Sequence, residues 1–164
     1  MRSRSISFQN GVVLLTVMVF ILVTTLAASS LIQIYQTQMQ REREEQLLFV
    51  GDQFRKAIAS YYNTIPPGGA RGLPPSLEAL LNDQRFPKPR QHLRRIYPDP
   101  MTGQPDWQLI RESGGIVGIK SQSSHPSLKK KGFSKEYVHL EDKELYSDWR
   151  FSIKDSLPPN QIRR

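Results

Sequence analysis

The N-terminal part of the chain is dominated by one long apolar stretch. Between Ser5 and Gln40 there is no Asp, Glu, Lys or Arg, and residues 12–32 read VVLLTVMVFILVTTLAASSLI. A helix rises about 1.5 Å per residue, so this stretch can cross a hydrocarbon core of about 30 Å. Its Thr and Ser hydroxyls can bond back to helix carbonyls. The pattern predicts a transmembrane helix over residues 12–32.

A secretory signal peptide is the main alternative for this stretch. The apolar core of a signal peptide usually has about 7–15 residues, whereas this one is longer and helical character continues beyond it. Arg2 and Arg4 precede the span and no acidic residue does, so the N-terminus should stay in the cytoplasm. In a Gram-negative cell we therefore expect a single-pass inner-membrane protein with a periplasmic C-terminal part.

Residues 33–62 show the periodicity of an amphipathic helix. They contain no proline, and Gly51 is the only glycine. Apolar residues recur at three- and four-residue spacing, which predicts one buried stripe. The stripe consists of Leu47, Leu48, Gly51, Phe54, Ile58, Tyr61 and Tyr62. Residues 66–69, Pro-Pro-Gly-Gly, should end the helix. Residues 12–62 can form one helix or an anchor followed by a separate helix, and the periodicity does not decide between them.

The remaining chain predicts a small α+β domain over residues 63–157. Ser76 is an expected N-cap for a helix over residues 77–82, and a second short helix is expected over 90–96. Residues 107–111 and 116–121 read as a hairpin, and Trp149, Phe151 and Ile153 alternate as in a third strand. We expect an antiparallel sheet packed on the helix stripe. The polar residues 158–164 should form a disordered tail.

Composition narrows the possible chemistry. The 38% hydrophobic and 23% charged residues fit a folded protein, and the absence of cysteine excludes disulfides and thiol chemistry. The net charge is +8, but the basic residues read as scattered, and Lys129–Lys131 reads as a solvated loop. No nucleic-acid partner is therefore expected.

No catalytic motif stands out in the sequence. His92, His125 and His139 lie in separate polar stretches without the spacing of metal ligands, and there is no P-loop, nucleophile elbow or HExxH motif. A Ser–His–Asp grouping could arise by chance among so many serines. The sequence predicts a protein that is not an enzyme.

The leader and the helix together resemble a known family. Residues 1–11, MRSRSISFQNG, form a short basic leader that ends in glycine before the apolar helix. This arrangement resembles the type IV prepilins and the pseudopilins of type II secretion. The segments QREREEQLLFVGDQFRKAIASYY, SLEALLND, LRRIYPDPMTGQPDW and GGIVGIKSQSSHPSLKKKGF resemble a group close to the major pseudopilin. The resemblance implies a pilin-like α+β fold with a long N-terminal helix.

The same resemblance implies processing and assembly. A prepilin peptidase would cut between Gly11 and Val12, and Val12 would be methylated. The partners would be other pilin or pseudopilin subunits and an inner-membrane assembly platform, and the function would be that of a pseudopilus subunit in protein secretion. The family usually has phenylalanine at the position of Val12 and glutamate at that of Thr16. Without that carboxylate, the chain resembles a minor or tip subunit.

One cofactor is implied only by the resemblance. Major pseudopilins hold calcium in loops that follow the strands, and Asp99 and Asp106 flank the corresponding turn here. The later loop, residues 121–125, lacks the expected aspartates. We therefore expect Asp99 and Asp106 to be turn formers first and calcium ligands second.

Two other functions remain open. The chain could be a minor type IV pilin in motility or DNA uptake, or an unprocessed envelope scaffold. Cleavage at Gly11 distinguishes the pilin class from the scaffold. A membrane-anchored hydrolase would need a pocket with perturbed titratable groups, and the sequence shows no sign of one.

Overall fold

The computed structural model describes residues 6–155, and of residues 6–10 and 26–34 only the backbone is described. The chain divides between residues 40 and 41 into two units, each described by itself. Helix α1, Ile6–Asn63, supplies the described part of the first unit and the first element of the second. The predicted tail, residues 158–164, lies outside the described residues.

In the first unit, every described side chain of residues 11–25 is exposed. The Thr16 hydroxyl donates to the Val12 carbonyl at 2.8 Å, and the hydroxyl of Thr25 donates to the Ile21 carbonyl at 2.7 Å. Where side chains are described, no helix combines the length and apolar character that a membrane span needs. Part of the predicted span, residues 26–32, lies outside those side chains.

In the second unit, residues 41–63 of α1 bury one face against the rest of the unit. Five members of the predicted stripe are buried, which confirms the periodicity, while Leu48 and Tyr62 are half-buried. Val50 and Ala57 join the buried face. Phe54 packs edge-on against Trp107, with ring centroids 5.4 Å apart. This face forms one wall of the hydrophobic core.

The other wall is a three-stranded antiparallel sheet in the order β1-β2-β3. Its strands are β1 Gln108–Glu112, β2 Gly115–Lys120 and β3 Arg150–Ser152. Ser113 and Gly114 connect β1 to β2 with positive φ angles of 49° and 82°, as a two-residue type I′ turn requires. In the central strand, β2, every residue before Lys120 is buried. The predicted α+β class, hairpin and third strand are confirmed.

Two helix predictions are wrong in detail. Helix α2 covers only Glu78–Leu81, and its N-cap is Leu77 rather than Ser76. Residues 90–96 do not form the expected helix. Their backbone groups form hydrogen bonds with α2 and its flanking residues instead. The N–H groups of His92 and Leu93 both donate to the Leu80 carbonyl, at 2.9 Å each. Arg90 pairs with Asp83 in an isolated β-bridge.

Short 3-10 helices complete the second unit. They cover Lys135–Leu140 and Tyr146–Asp148, and they bring Tyr137, Leu140 and Tyr146 into the core. Trp149 is buried between the rings of Tyr146 and Phe133, with both centroid distances 5.3 Å. These C-terminal elements carry the loops that contact α1.

Candidate functional site

The residues predicted for processing and assembly lie on α1 in the first unit. The Gly11–Val12 bond lies inside the helix, because α1 begins upstream at Ile6. Thr16 lies one turn beyond Val12, and its hydroxyl is bonded to the Val12 carbonyl. The Thr16 side chain therefore completes a hydrogen bond within its own helix and offers no charge to a neighbouring chain.

The helix around these residues presents apolar side chains on every side. Its large apolar residues from Val12 to Val23 are all exposed, from 48% at Val17 to 67% at Phe20. Apolar surface of this extent marks contact with lipid or with other protein chains. Where α1 is described in this unit, the surface is therefore suited to packing against partners along its whole circumference.

In the second unit, Glu44 is a buried carboxylate that ties α1 to a distant loop. Only 4% of the residue is exposed. Its Oε1 accepts the backbone N–H groups of Leu128 and Lys129 at 2.7 and 3.0 Å, and the Tyr146 hydroxyl at 2.9 Å. The sequence pattern groups Glu44 with the exposed charges of residues 41–45. No residue near it in sequence indicates that its partners lie beyond residue 127.

The loop that Glu44 holds is the one that contains the lysine run. Lys130 and Lys131 are exposed, as expected of a solvated loop, whereas Lys129 is half-buried. Lys130 Nζ donates to the Lys143 carbonyl at 3.0 Å, and Asp142 N donates to the Lys130 carbonyl at 3.0 Å. The run is thus attached to residues 142–143 and lies beside exposed acidic side chains.

A second ionic cluster lies on the same helix at Asp52. Its Oδ1 accepts the Tyr137 hydroxyl at 2.6 Å and Arg55 Nη2 at 2.7 Å, while Lys56 lies 2.6 Å from Oδ2. Burial alone raises the pKa of Asp52, but these donors outweigh burial and the pKa is lowered. Burial and the bond to Asp52 raise the pKa of Tyr137. The cluster fixes the first 3-10 helix to α1.

Asp99 and Asp106 flank one turn, and each carboxylate bonds to a different partner. Asp99 is buried, and its Oδ1 accepts the Met101 N–H at 2.9 Å in an Asx turn. Asp99 Oδ2 accepts the Ser121 hydroxyl at 2.5 Å. Asp106 Oδ1 accepts the Thr102 hydroxyl at 2.6 Å. The structure therefore brings the turn beside residue 121 of the later loop.

These contacts bear on the calcium hypothesis. Both carboxylate oxygens of Asp99 accept hydrogen bonds from protein groups, and a hard cation needs several free oxygens. Over the described residues, no three His, Asp or Glu side chains are grouped as metal ligands. The turn-forming role of Asp99 is confirmed, and calcium binding stays a prediction.

Asp83 organises a third cluster at the C-terminal end of α1. It is buried and forms a two-point ion pair with Arg85, with Nε–Oδ1 at 2.9 Å and Nη2–Oδ2 at 2.7 Å. Arg85 Nη2 also donates to the Tyr61 carbonyl at 2.9 Å. The hydrogen bonds from Arg85, opposed by burial, lower the pKa of Asp83 to about 2. An arginine at a helix C-terminus also complements the helix dipole.

The same cluster brings a serine, a histidine and an aspartate together. Ser60 Oγ lies 2.8 Å from His92 Nδ1, and His92 Nε2 lies 3.2 Å from Asp83 Oδ2. With Asp83 ionised, Nε2 donates to it and Nδ1 accepts the serine hydroxyl. Its three members are well separated along the chain, and no pattern in the sequence distinguishes them from a chance grouping.

This grouping lacks two features of an acyl-transfer site. Ser60 lies inside α1, where backbone N–H groups are engaged in helix bonds and cannot form an oxyanion hole. Asp83 is already neutralised by Arg85. The neighbouring groove, of about 560 Å³, is lined by Asp83 and Arg85 but not by Ser60 or His92. We assign the cluster the structural role of fixing residues 83–92 to the helix end.

The other two histidines stay apart from this cluster, in agreement with the sequence. His139 Nε2 lies 2.9 Å from the Arg150 carbonyl, and the His125 carbonyl accepts the Tyr146 N–H at 3.2 Å. Each therefore joins backbone segments of the C-terminal loops.

No family model, no curated protein and no solved structure matches the chain. Its function must therefore be argued from its own residues.

Proposed function

We propose that this chain is a pseudopilin-like structural subunit of a type II secretion pseudopilus. Residues 12–32 would hold it in the inner membrane, and the C-terminal domain would face the periplasm. A prepilin peptidase would cut the Gly11–Val12 bond, and the mature helix would pack against other subunits on the assembly platform.

The observation that carries this proposal is the exposed, uncharged helix surface directly after Gly11. Each exposed Val, Leu, Ile or Phe side chain forgoes about 1.5–3 kcal/mol of burial free energy. In a prepilin, such a surface is buried first in the lipid bilayer and then, after assembly, against the helices of neighbouring subunits. The helical position of Gly11 also suits processing, because glycine is the least helix-favouring residue apart from proline and local unwinding there costs little.

The second unit supports the pilin-like part of the proposal. A helix face packed on a small antiparallel sheet is the arrangement that the resemblance implies. We propose that α1 continues from the membrane into this domain, so that its first half drives assembly and its second half forms the core wall.

Thr16 supports a minor or tip position over a repeating one. In the family, a glutamate at this position offsets the N-terminal amine of the neighbouring subunit. The Thr16 hydroxyl carries no charge and is bonded to the Val12 carbonyl. A chain without the carboxylate is suited to a position in the fibre, such as the tip, where pairing between this carboxylate and a neighbour's N-terminal amine is required only once or not at all.

Site-specific crosslinking tests the assembly claim. The chain has no cysteine, so single cysteines at Val17 and Leu22 are unambiguous reporters. We expect them to crosslink with matching cysteines in co-expressed pseudopilins, and only when a prepilin peptidase is present. Gly72→Cys, in the exported domain, is the control, because no neighbouring atom lies within 4 Å of a Cβ at this position. An absence of crosslinks from both helix positions, with insertion intact, would contradict the proposal.

A further inference from the structure

Residues 84–98 form a basic loop at the C-terminal end of α1. The loop contains Arg85, Lys88, Arg90, Arg94 and Arg95 and no acidic residue. The charge of Arg85 is paired with that of Asp83, whereas the side chains of the other four residues are exposed. Basic residues are scattered along most of the sequence, yet these four share one short loop.

The base of the loop is closed and fixed to the helix. Asp83 N donates to the Arg90 carbonyl at 2.8 Å, and Arg90 N donates back to the Asp83 carbonyl at 3.3 Å. The Tyr61 ring lies 5.4 Å from the His92 ring, and the Tyr97 ring lies 6.3 Å from the Phe54 ring. The loop therefore runs back along α1 over about two turns, roughly 10 Å. We call its four exposed basic residues, Lys88, Arg90, Arg94 and Arg95, the strip.

Aromatic rings hold the guanidinium groups in place. Arg90 lies over the Phe86 ring at 4.7 Å and Arg95 lies over the Tyr97 ring at 4.9 Å. Arg71 lies over the ring of Tyr62, near the C-terminal end of α1, at 5.9 Å, and we count it with the strip. A guanidinium stacked by its face keeps its N–H edges free, and these edges match the oxygens of a phosphate. Stacking also reduces the entropy lost when the side chain binds.

Within the described residues, 6–155, these cations have no carboxylate partner. Among the described residues, no Asp or Glu lies within 4.0 Å of the charged groups of Arg71, Lys88, Arg90, Arg94 or Arg95. The acidic residues that flank the loop in sequence, Asp83 and Asp99, are both buried, and their carboxylates are bonded to other protein groups. The lysine run of residues 129–131 differs, because it is attached to the acidic segment of residues 141–144. The loop of residues 84–98 thus carries a concentration of unpaired positive charge.

We propose that this strip, Arg71 with Lys88, Arg90, Arg94 and Arg95, binds duplex DNA through its phosphates. The chain has a basic isoelectric point, and four of its exposed basic residues share one short loop, which is the electrostatic pattern of nucleic-acid binding. The rings beneath the arginines are half-buried and covered, so they cannot stack on unpaired bases as a single-strand site requires. Contact is made with the regular phosphates of a duplex, without reading sequence.

The expected signature is strong salt dependence. Five phosphate contacts give a slope of log K against log salt of about −4, and each lost contact reduces its magnitude by about 1. The full-length protein in zwitterionic detergent should bind a fluorescent 24-base-pair duplex, measured by anisotropy at several salt concentrations. The measurement is independent of processing at Gly11, so its failure would leave the proposed function untouched.

Two matched triple variants test the strip. We expect Arg90→Gln/Arg94→Gln/Arg95→Gln to weaken binding by at least about 30-fold and to reduce the slope by about 3. The control, Lys131→Gln/Lys135→Gln/Lys143→Gln, removes the same charge from exposed positions elsewhere. It should keep the slope of the unmodified protein. Should the arginine triple fail to fold, Arg94→Gln and Arg95→Gln singly should each reduce the slope by about 1.

Several outcomes would overturn the proposal. Equal losses in the two triples would show that net charge alone attracts DNA. Equal or tighter binding of a single strand would contradict the duplex assignment. Arginine-dependent binding of polyglutamate, or of vesicles containing phosphatidylglycerol, at least as tight as that of the duplex would assign the strip to an acidic protein or to a membrane.

Discussion

At the scale of single residues, Glu44 joins the start of the second unit to its C-terminal loops. Three hydrogen bonds converge on Oε1, and two of the donors are backbone groups of residues 128 and 129. A buried carboxylate is stable only when it is bonded in this way, since its desolvation is costly. Removing it takes the acceptor away from the Leu128 and Lys129 N–H groups and deletes one hydrogen bond of the Tyr146 hydroxyl.

We expect Glu44→Ala to lower the free energy of unfolding by about 3 kcal/mol, because buried donors left unpaired cost about 1–3 kcal/mol and bonds to charged groups are strong. Urea denaturation followed by tryptophan fluorescence measures this, since Trp149 packs on the Tyr146 ring. The neighbouring Glu45 is exposed, so Glu45→Ala is the control and should change stability by less than about 0.5 kcal/mol. Equal effects of the two variants would refute the role of Glu44.

Gly51 is a second residue whose role depends on a distant partner. A Cβ at this position would overlap the Phe151 ring of β3. We expect Gly51→Ala to destabilise the second unit by about 1–3 kcal/mol through overpacking, despite the better helix propensity of alanine. Gly72 has open space around it, so Gly72→Ala is the control. A stabilised Gly51→Ala protein, measured by the same urea titration, would show that Phe151 does not pack there.

At this scale, the buried stripe of α1 could be predicted from the sequence, whereas the partners of Glu44 and Gly51 could not. The stripe of Leu47, Phe54 and Ile58 follows from periodicity alone, because burial repeats with the helix. The environment of Glu44 and the contact of Gly51 with Phe151 depend on pairings across most of the chain. No local pattern encodes such pairings.

At the scale of elements, the loop that follows α2 is fixed by the Asp83 cluster. Because the pKa of Asp83 is lowered to about 2 from its ordinary value of 3.8, the folded state favours the ionised carboxylate. The stabilisation is therefore present above about pH 5 and is lost as the pH falls toward 2. The shift corresponds to about 2 kcal/mol, at 1.36 kcal/mol per pKa unit.

We expect Asp83→Asn to reduce stability at pH 7 and to flatten its decline between about pH 5 and pH 2. The control is Asp148→Asn, which removes the same charge from an exposed position without disturbing the cluster. This variant should lose stability between pH 5 and pH 2 as the unmodified protein does. The urea midpoints of the two variants and of the unmodified protein, measured across this pH range, test this expectation. A steep decline retained in Asp83→Asn would place the acid-sensitive group elsewhere.

Elements with local signals were predicted well, and those without them were not. The β1–β2 hairpin follows from the Ser113-Gly114 turn, and β3 follows from alternation around Phe151. The helix expected over residues 90–96 is wrong because its N–H groups pair with the Leu80 carbonyl and with Asp83. Such long-range hydrogen bonds override local propensity.

At the scale of the whole molecule, the chain combines a helix whose described apolar side chains are exposed with a folded α+β unit. The sequence predicted the fold class of the second unit and the location of the apolar stretch. The Ser60–His92–Asp83 cluster and the arginine strip were not predicted, because each requires the loop of residues 84–98 to return to α1. The proposal of a pilin-class subunit rests on the resemblance of the leader and of the helix that follows it.

The most direct test of the central claim is the intact mass and N-terminal sequence of membrane-extracted protein, with and without a prepilin peptidase. We expect loss of residues 1–11 and a methylated Val12 only when the peptidase is present. Gly11→Leu should abolish this processing, whereas the adjacent Asn10→Ala should leave it intact. An unshortened chain in both samples would contradict the pilin-class account and favour an anchored envelope scaffold.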